Sequence, residues 1–173
     1  MILNELIGKK VSRIFIICWP PLFEEEDLNT DLSIGLQLLN SDELFIISTD
    51  KSDNWTPTFS VESIPNKHFK HSEFDRRIKD WQQGKLEKIV GYEYYDFSES
   101  DLFEEIINQN IQEVEFLSVE ENKTFGVRIK FDNDYILSTP ISDGNTIETK
   151  RFNTINNYKT FEAFGEIQFQ AIN

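Results

Sequence analysis

The stretch Ile14-Phe15-Ile16-Ile17-Cys18-Trp19 is apolar on both faces of an extended chain, which makes it the clearest strand signal in the sequence. Such a pattern is typical of a strand that is covered on both sides and lies inside a sheet. The run is shorter than the ~7–15 apolar residues of a secretory signal and the ~20 of a membrane span. We therefore expect a central strand of the fold and a cytoplasmic protein.

Two later segments alternate apolar and polar residues with a period of two, which predicts half-buried antiparallel strands. Four apolar residues of each segment fall on one face: Leu32, Ile34, Leu36 and Leu38 in one, and Phe125, Val127, Ile129 and Phe131 in the other. Turn-forming residues follow each segment, at 40–42 and at 132–134, before another apolar run begins. Both patterns predict a hairpin.

A short helix is predicted before each set of strands. In the first helix, Leu3, Leu6 and Ile7 share one side, and Gly8 is the residue type that commonly ends a helix. In the second, Ser98 and Asp101 resemble a capping box. Its apolar face consists of Leu102, Phe103, Ile106 and Ile107.

The chain also matches itself weakly, mostly at an offset of about 90 to 100 residues. Five matches keep the same order: 3–7 with 103–107, 11–15 with 111–115, 34–38 with 125–129, 45–49 with 135–139, and 86–91 with 161–165. We interpret them as an internal duplication. The predicted fold is α+β, with two diverged αββββ repeats related by a pseudo-twofold axis and antiparallel sheets that share one core. Module one is 1–99, module two is 100–173, and together they form one cooperative unit.

Module one carries two additions that module two lacks. One is an inserted loop at 19–30, and the other is a helix at about 73–83. Ser72 is the expected N-cap of this helix and Gly84 its stop. The apolar residues at helical spacing are Phe74, Ile78 and Trp81. Function is expected to reside in such additions, because loops on a rigid scaffold often carry binding.

The composition is acidic, with 31 Asp and Glu against 17 Lys and Arg and a formal net charge of −14. Nucleic acids and anionic membrane surfaces are therefore unexpected partners, since both attract clustered basic residues. Cys18 is the single cysteine, which excludes an internal disulfide. No phosphate-binding loop, nucleophile elbow or dinucleotide fingerprint occurs, so no cofactor is expected and an enzyme is the less favoured class.

The charges are unevenly distributed along the chain. Eight acidic residues and no Lys or Arg lie between Arg13 and Lys51, and ten acidic residues and no Lys or Arg lie between Lys88 and Lys123. Residues 66–88 are the reverse, with seven basic and four acidic residues. Acidic tracts either keep a protein soluble or accelerate its encounter with a basic partner.

The inserted loop combines aromatic and acidic residues and is the predicted partner-binding site. Its members are Trp19, Leu22, Phe23, Glu24, Glu25, Glu26 and Asp27. The alternative is a lid that folds back onto the sheet. The leading function is a non-enzymatic binding protein for a basic protein, such as an inhibitor or immunity protein that neutralises a cationic toxin.

A metal-dependent hydrolase is the rival hypothesis from another class. His68 and His71 are the two histidines of the chain, and Glu73 and Asp75 follow closely. A zinc site needs three or four such ligands to converge. The simpler interpretation is a solvated loop before a helix. A third hypothesis is a structural or oligomerisation module that uses exposed sheet edges; the oligomeric state itself is open.

Overall fold

A computed structural model of the protein describes residues 3–19, 30–50, 55–86, 91–119, 123–142 and 144–172. Its strands are β1 (Val11–Trp19), β2 (Asp31–Leu38), β3 (Glu43–Thr49), β4 (Pro57–Ser63), β5 (Phe69–Lys70), β6 (Glu93–Asp96), β7 (Glu113–Val119), β8 (Lys123–Lys130), β9 (Tyr135–Ile141), β10 (Gly144–Glu148) and β11 (Ile167–Ala171). The α-helix α1 spans Phe74–Gln82. Short 3-10 helices span Leu3–Leu6, His71–Glu73, Asp101–Phe103 and Asn157–Phe164.

The strands form two sheets. The first sheet has six strands in the order β4-β3-β2-β1-β6-β5, and the second has five in the order β10-β9-β8-β7-β11. Neighbouring strands are antiparallel except β5 and β6, which are parallel. The molecule is therefore a compact, mostly β member of the predicted α+β class, with few and short helices.

The prediction that β1 is a central strand is confirmed. It lies between β2 and β6, and its residues Ile14 to Cys18 are at most 3% exposed. Ile14, Ile16 and Cys18 face the main core, whereas Phe15 and Ile17 face a smaller apolar cluster on the other side of the sheet. Both faces of β1 are therefore covered, as its unbroken apolar sequence requires.

The main core lies between the two sheets. Ile16, Leu36 and Phe45 from the first sheet belong to the same buried cluster as Ile129 and Ile136 from the second. Helix α1 lies against this core through its three partly buried apolar residues, Phe74, Ile78 and Trp81. We call the faces that the sheets turn toward each other inner and the opposite faces outer.

The predicted N-terminal helix is a 3-10 helix of four residues, Leu3–Leu6. Leu3 and Leu6 are buried as expected, but Ile7 is 38% exposed because it lies beyond the last helical residue. Gly8 has a φ of 79°, which agrees with its predicted role as the helix stop.

The cap of the second short helix is also corrected. Ser100, not Ser98, is the N-cap, and its hydroxyl accepts a hydrogen bond from the amide of Leu102. The hydroxyl of Ser98 instead accepts a hydrogen bond from the amide of Ile14. Ser98 is thus used to join two segments far apart in sequence, which local spacing does not indicate.

Helix α1 is confirmed close to its predicted position, but its start differs. A 3-10 turn at His71–Glu73 precedes it and contains Ser72, the predicted cap. The carboxylate of Glu73 accepts a hydrogen bond from the amide of Lys70 at 3.2 Å. At the other end, Gly84 has a φ of 63° and donates its amide to the carbonyl of Trp81.

Phe125 is on the opposite face from the one its alternation predicts. The register between β7 and β8 shifts between Leu117 and Ser118, which leaves Phe125 as an extra residue in its strand. A bulge of this kind re-aims the side chain. Phe125 consequently stacks on Phe161 at 4.1 Å in an outer cluster, while Val127 and Ile129 remain in the main core.

Four backbone hydrogen bonds join the start of β1 to the segment that precedes β7. The amide of Gly8 donates to the carbonyl of Ile111, and the amide of Asn108 donates to the carbonyl of Val11. The amide of Ile111 donates to the carbonyl of Lys9, and the amide of Val11 donates to the carbonyl of Gln109. Asn108 has a φ of 63°, in the same left-handed region as Gly8.

The side chain of Asn145 joins the two sheets where β10 crosses the end of β2. Its side-chain oxygen accepts hydrogen bonds from the hydroxyls of Thr49 and Ser138 at 2.6 and 3.1 Å. Its side-chain nitrogen donates to the carbonyl of Leu32, and its backbone amide donates to the carboxylate of Asp31. Asn145 is fully buried, so these bonds satisfy groups that water does not reach.

We predict that Asn145→Ala lowers the free energy of unfolding by about 3 kcal/mol, since it leaves several buried polar groups unsatisfied. Chemical denaturation measures this difference. Asn133→Ala is the matched control, because Asn133 is exposed and its substitution should cost less than about 0.5 kcal/mol. Equal losses in the two variants would contradict a structural role for the Asn145 network.

Candidate functional site

An open groove of about 370 Å³ lies on the outer face of the first sheet. Five strands and the segments next to them contribute its walls and floor. The lining residues are Ile17, Ser33, Ile46, Ser48, Thr49, Asp50, Thr58, Ser60, Glu62, Tyr92 and Tyr94. Among these described residues there is no Lys, Arg or His, so the groove combines aromatic rings, hydroxyls and carboxylates.

The period of two along each strand produces this lining. Ile17 of β1 lies between Ser33 of β2 and Tyr94 of β6 in the sheet. The hydroxyl of Ser33 donates to that of Ser48 on β3 at 2.8 Å. Small serines at the middle of the sheet, with larger side chains on both sides, leave the depression that forms the groove.

Tyr94 and Glu62 face each other across the groove. The hydroxyl of Tyr94 donates to the Glu62 carboxylate at 3.3 Å, and the hydroxyl of Ser60 donates to the same carboxylate at 3.2 Å. Burial, followed by the negative charge of Glu62, raises the pKa of Tyr94 from 10.0 to about 12. Tyr94 therefore stays protonated at neutral pH and remains a hydrogen-bond donor to Glu62.

Trp19 was predicted as the first residue of the inserted loop, but it is the last residue of β1 and lies next to this groove. Its ring contacts that of Tyr92 edge to face, with 4.7 Å between the centroids. Trp19 is half-buried and Tyr92 is 43% exposed. The other predicted partner-binding residues, Leu22, Phe23, Glu24, Glu25, Glu26 and Asp27, lie outside the described part of the chain.

The second acidic tract does not form one continuous anionic surface. Most of its described carboxylates pair with basic side chains from elsewhere: Asp96 with Arg13, Glu93 with Arg77, Glu113 with Lys130, Glu115 with Arg128, and Glu104 with Arg151. In the first tract, Asp31 is buried. Of the two carboxylates that line the groove, Asp50 belongs to the first tract and Glu62 to neither, so counting charges along the sequence did not find Glu62.

The pair of Arg77 and Glu93 is the most enclosed of these ion pairs. Arg77 on α1 makes two hydrogen bonds to the Glu93 carboxylate on β6, at 2.6 and 3.0 Å, and the hydroxyl of Tyr95 donates to the same carboxylate. The guanidinium also lies over the ring of Phe69, 4.0 Å from its centroid. Because Arg77 is paired with Glu93, helix α1 contributes less positive charge to the surface than its sequence indicates.

The four predicted metal ligands are not gathered around one point. The ring of His68 contacts Phe15 edge to face at 5.4 Å, and that of His71 lies 5.9 Å from Phe97. Glu73 bonds to the amide of Lys70, and Asp75 lines a separate cavity of about 480 Å³ beside α1. Across the described ranges, no three His, Cys, Asp or Glu residues are placed to hold a metal ion together.

Cys18 is a poor nucleophile in this fold. It is fully buried on the inner face of β1. Burial, with smaller effects from Asp31 and Glu93, raises the pKa of its thiol well above its ordinary value. The reactive thiolate is therefore disfavoured at neutral pH.

Comparison with protein-family models finds no matching family, and comparisons with curated proteins and with solved structures find no significant match. Within the described ranges, no helix has the length and apolar character needed to cross a lipid bilayer. The groove is therefore interpreted from its own geometry and chemistry.

Of the residues at or beside the groove, the sequence analysis proposed Trp19 for binding but did not propose Tyr92, Tyr94, Glu62 or Asp50. The alternation of Tyr92, Glu93, Tyr94 and Tyr95 is a strand signal, and it places Tyr92 and Tyr94 on one face. That pattern does not reveal that β4, with Glu62, lies across the sheet from β6. Three strands, β3, β2 and β1, lie between β4 and β6 in the sheet, and this order is not visible in the local pattern.

We predict that Tyr94 ionises near pH 12, against 10.0 for an ordinary tyrosine. The raised pKa contributes stability that is present below pH 10.0 and is lost as the pH rises through about 12. The difference in tyrosinate absorbance between the wild type and Tyr94→Phe measures this pKa. Glu62→Gln should lower it, while burial still keeps it above 10.0. A Tyr94 pKa unaffected by Glu62→Gln would refute the coupling of the two side chains.

For the metal hypothesis, we predict that protein purified without added metal contains no stoichiometric zinc or manganese by elemental analysis. The physical reason is that His68 and His71 contact two different aromatic rings and do not converge. Stoichiometric metal in the wild type that disappears in His68→Ala and His71→Ala would show that this interpretation is wrong.

Proposed function

We propose that this protein is a non-enzymatic cytoplasmic binding protein that engages a basic protein partner through the groove on the outer face of its first sheet. The observation that carries the proposal is the lining of that groove. It places two tyrosines beside carboxylates, without a basic side chain among its described lining residues. An arginine or lysine side chain of a partner fits this chemistry best.

The groove offers a cationic side chain two kinds of contact. The faces of Tyr92 and Tyr94 can attract a guanidinium or ammonium group through their π-electrons, at ~0.5–2 kcal/mol for each contact. The Glu62 carboxylate can accept charge-assisted hydrogen bonds from the same group. Tyr94 and Ser60 already hold that carboxylate in place, so little ordering is needed when a partner binds.

The charge of the whole chain supports the same partner class. A formal net charge of −14 accelerates the encounter with a basic protein and disfavours acidic competitors. The half-buried Trp19 and the exposed Tyr92, which contact each other, add apolar contact area, and such aromatic residues often dominate binding energy at interfaces. Binding of this kind weakens as salt screens the charges.

An inhibitor or immunity protein that neutralises a cationic toxin is one concrete form of this proposal. Acidic inhibitors commonly bind basic enzymes, so this form rests on analogy with such pairs. The groove would then receive a basic side chain of the toxin, while the surrounding negative charge opposes the attraction of the toxin to its own polyanionic substrate.

We also propose that the two halves of the chain arose by duplication and retain a pseudo-twofold relation. The four backbone hydrogen bonds between residues 8–11 and 108–111 support this relation. Each residue of 8–11 has an equivalent 100 positions later, and swapping the equivalent residues turns each of the four bonds into another of the four. Each half continues with a four-stranded antiparallel meander, β1 to β4 and β7 to β10. The groove, Trp19 and α1 all belong to the first half, which is therefore the specialised module of one cooperative unit.

The proposed function can be tested by affinity capture from lysate with the immobilised full-length protein, followed by mass spectrometry. We expect the wild type to retain a specific basic protein at low salt and to lose it at high salt. Glu62→Gln and Tyr92→Ala should each weaken the purified interaction several-fold. Glu99→Gln is the matched control, because it removes one exposed negative charge outside the lining of the groove.

Three results would overturn the proposal. They are capture of no basic protein by the wild type, binding that is insensitive to salt, and equal losses in Glu62→Gln and Glu99→Gln. The last result would attribute any binding to net charge alone and not to the groove.

A further inference from the structure

The outer edge of the second sheet is formed by β11, whose sequence is Ile167-Gln168-Phe169-Gln170-Ala171. This strand carries no charge, no proline and no glycine. Four of its five residues are exposed. It pairs with β7 on one side, and no other described strand lies on its other side. An exposed edge without charges is a template for pairing with another strand.

The register with β7 determines which backbone groups of β11 point outward. Ile172 donates its amide to the carbonyl of Val114, and the pairing continues from there with Ala171 opposite Glu115. Hydrogen-bonded and non-hydrogen-bonded pairs alternate along an antiparallel ladder. The amides and carbonyls of Gln168 and Gln170 therefore point toward β7, and those of Ile167, Phe169 and Ala171 point away from it.

The other three sheet edges are each protected. Strand β4 carries Pro57 and Glu62, and β5 has only two residues. On β10, the amide of Asn145 donates to Asp31, and the carbonyl of Ile147 accepts a hydrogen bond from Asn153. In the first sheet, β6 lies next to β1 as β11 lies next to β7 in the second sheet. The far edge of β6, however, is paired with β5.

The sequence of β11 is complementary to itself in an antiparallel arrangement. If Phe169 lies opposite Phe169 of a second copy, Ile167 lies opposite Ala171 and Gln168 lies opposite Gln170. The outward groups then form about six backbone hydrogen bonds between the copies. Each glutamine pair can form a side-chain hydrogen bond across the interface, and the two phenylalanines form a cross-strand pair.

Few charges lie close to this contact: β11 itself carries none, and the exposed Glu166 directly before it lies opposite the apolar Ile172 of the second copy. The nearest carboxylates on β7, Glu113 and Glu115, are paired with Lys130 and Arg128. Arg128 also lies over the ring of Phe169, with 3.9 Å to its centroid. The net charge of −14 repels two copies only at long range, and salt screens that repulsion.

We propose that two copies of this chain associate through antiparallel pairing of their β11 strands, centred on Phe169, so that the two second sheets become one continuous ten-stranded sheet. The contact is isologous, as a twofold dimer requires. It leaves the groove on the first sheet open, and it does not rest on the proposed function.

The test is the mass of the full-length protein in solution, measured by sedimentation velocity over a concentration series. The wild type should reach twice the mass of one chain. Gln168→Lys/Gln170→Lys and Gln168→Glu/Gln170→Glu should each remain a single chain, because like charges then face each other across the interface. An equimolar mixture of the two variants should regain the doubled mass, since every Lys then faces a Glu.

A matched control is Gln82→Lys/Gln83→Lys, which makes the same two Gln→Lys changes at exposed positions at the end of α1, outside the groove, and should leave the dimer unchanged. Ala171→Pro removes one outward amide without disturbing the bonds to β7, and it should also give a single chain. Recovery in the mixture shows that both glutamine variants are folded. A wild type that stays a single chain throughout, or a dimer that both β11 variants leave intact, would overturn the proposal.

The salt dependence separates this inference from the proposed function. Dimerisation should strengthen as salt rises, because salt screens repulsion between two acidic chains. Capture of a basic partner should weaken under the same change. Failure of the dimer with retained partner binding, or the reverse, is therefore recognisable from two measurements on one preparation.

Discussion

The burial of the two inner sheet faces against each other is the constraint on which the rest of this structure depends. The helices are short, and neither sheet can cover its apolar inner face with them alone. The core is therefore shared, with β1, β2 and β3 facing β7, β8 and β9. The polar bonds of Asn145 and the backbone bonds between residues 8–11 and 108–111 then hold the two sheets in one relative position.

The same arrangement explains why the candidate site lies on an outer face. Once the inner faces are buried, only the outer faces and the edges remain for recognition. On the first sheet, Ser33 and Ser48 in the middle and Tyr94 and Glu62 at the sides produce a depression with negative charge. On the second sheet, Phe125 and Phe161 stack against the outer face beside a small cavity of about 150 Å³, and the β11 edge is exposed.

The distribution of charge on the surface differs from the distribution of charged residues along the sequence. The two acidic tracts suggest continuous anionic surfaces, yet Arg13, Arg77, Arg128 and Arg151 from distant positions pair with the second tract. The predicted basic helix likewise directs Arg77 inward to Glu93. Of the two carboxylates that line the groove, Asp50 lies in the first tract and Glu62 lies in neither. An excess of charge along the chain is thus a guide to solubility and attraction but not to the position of a site.

The local elements could be predicted from the amino-acid sequence: the central strand β1, the two hairpins, and helix α1 with its Gly84 stop. These follow from apolar periodicity and turn chemistry, which act over a few residues. Three features depend on tertiary structure instead: the bulge that turns Phe125 outward, the hydrogen bond between Ser98 and Ile14, and the contact of Tyr94 with Glu62. Strand order and register set these contacts, and both depend on packing between residues far apart in the chain.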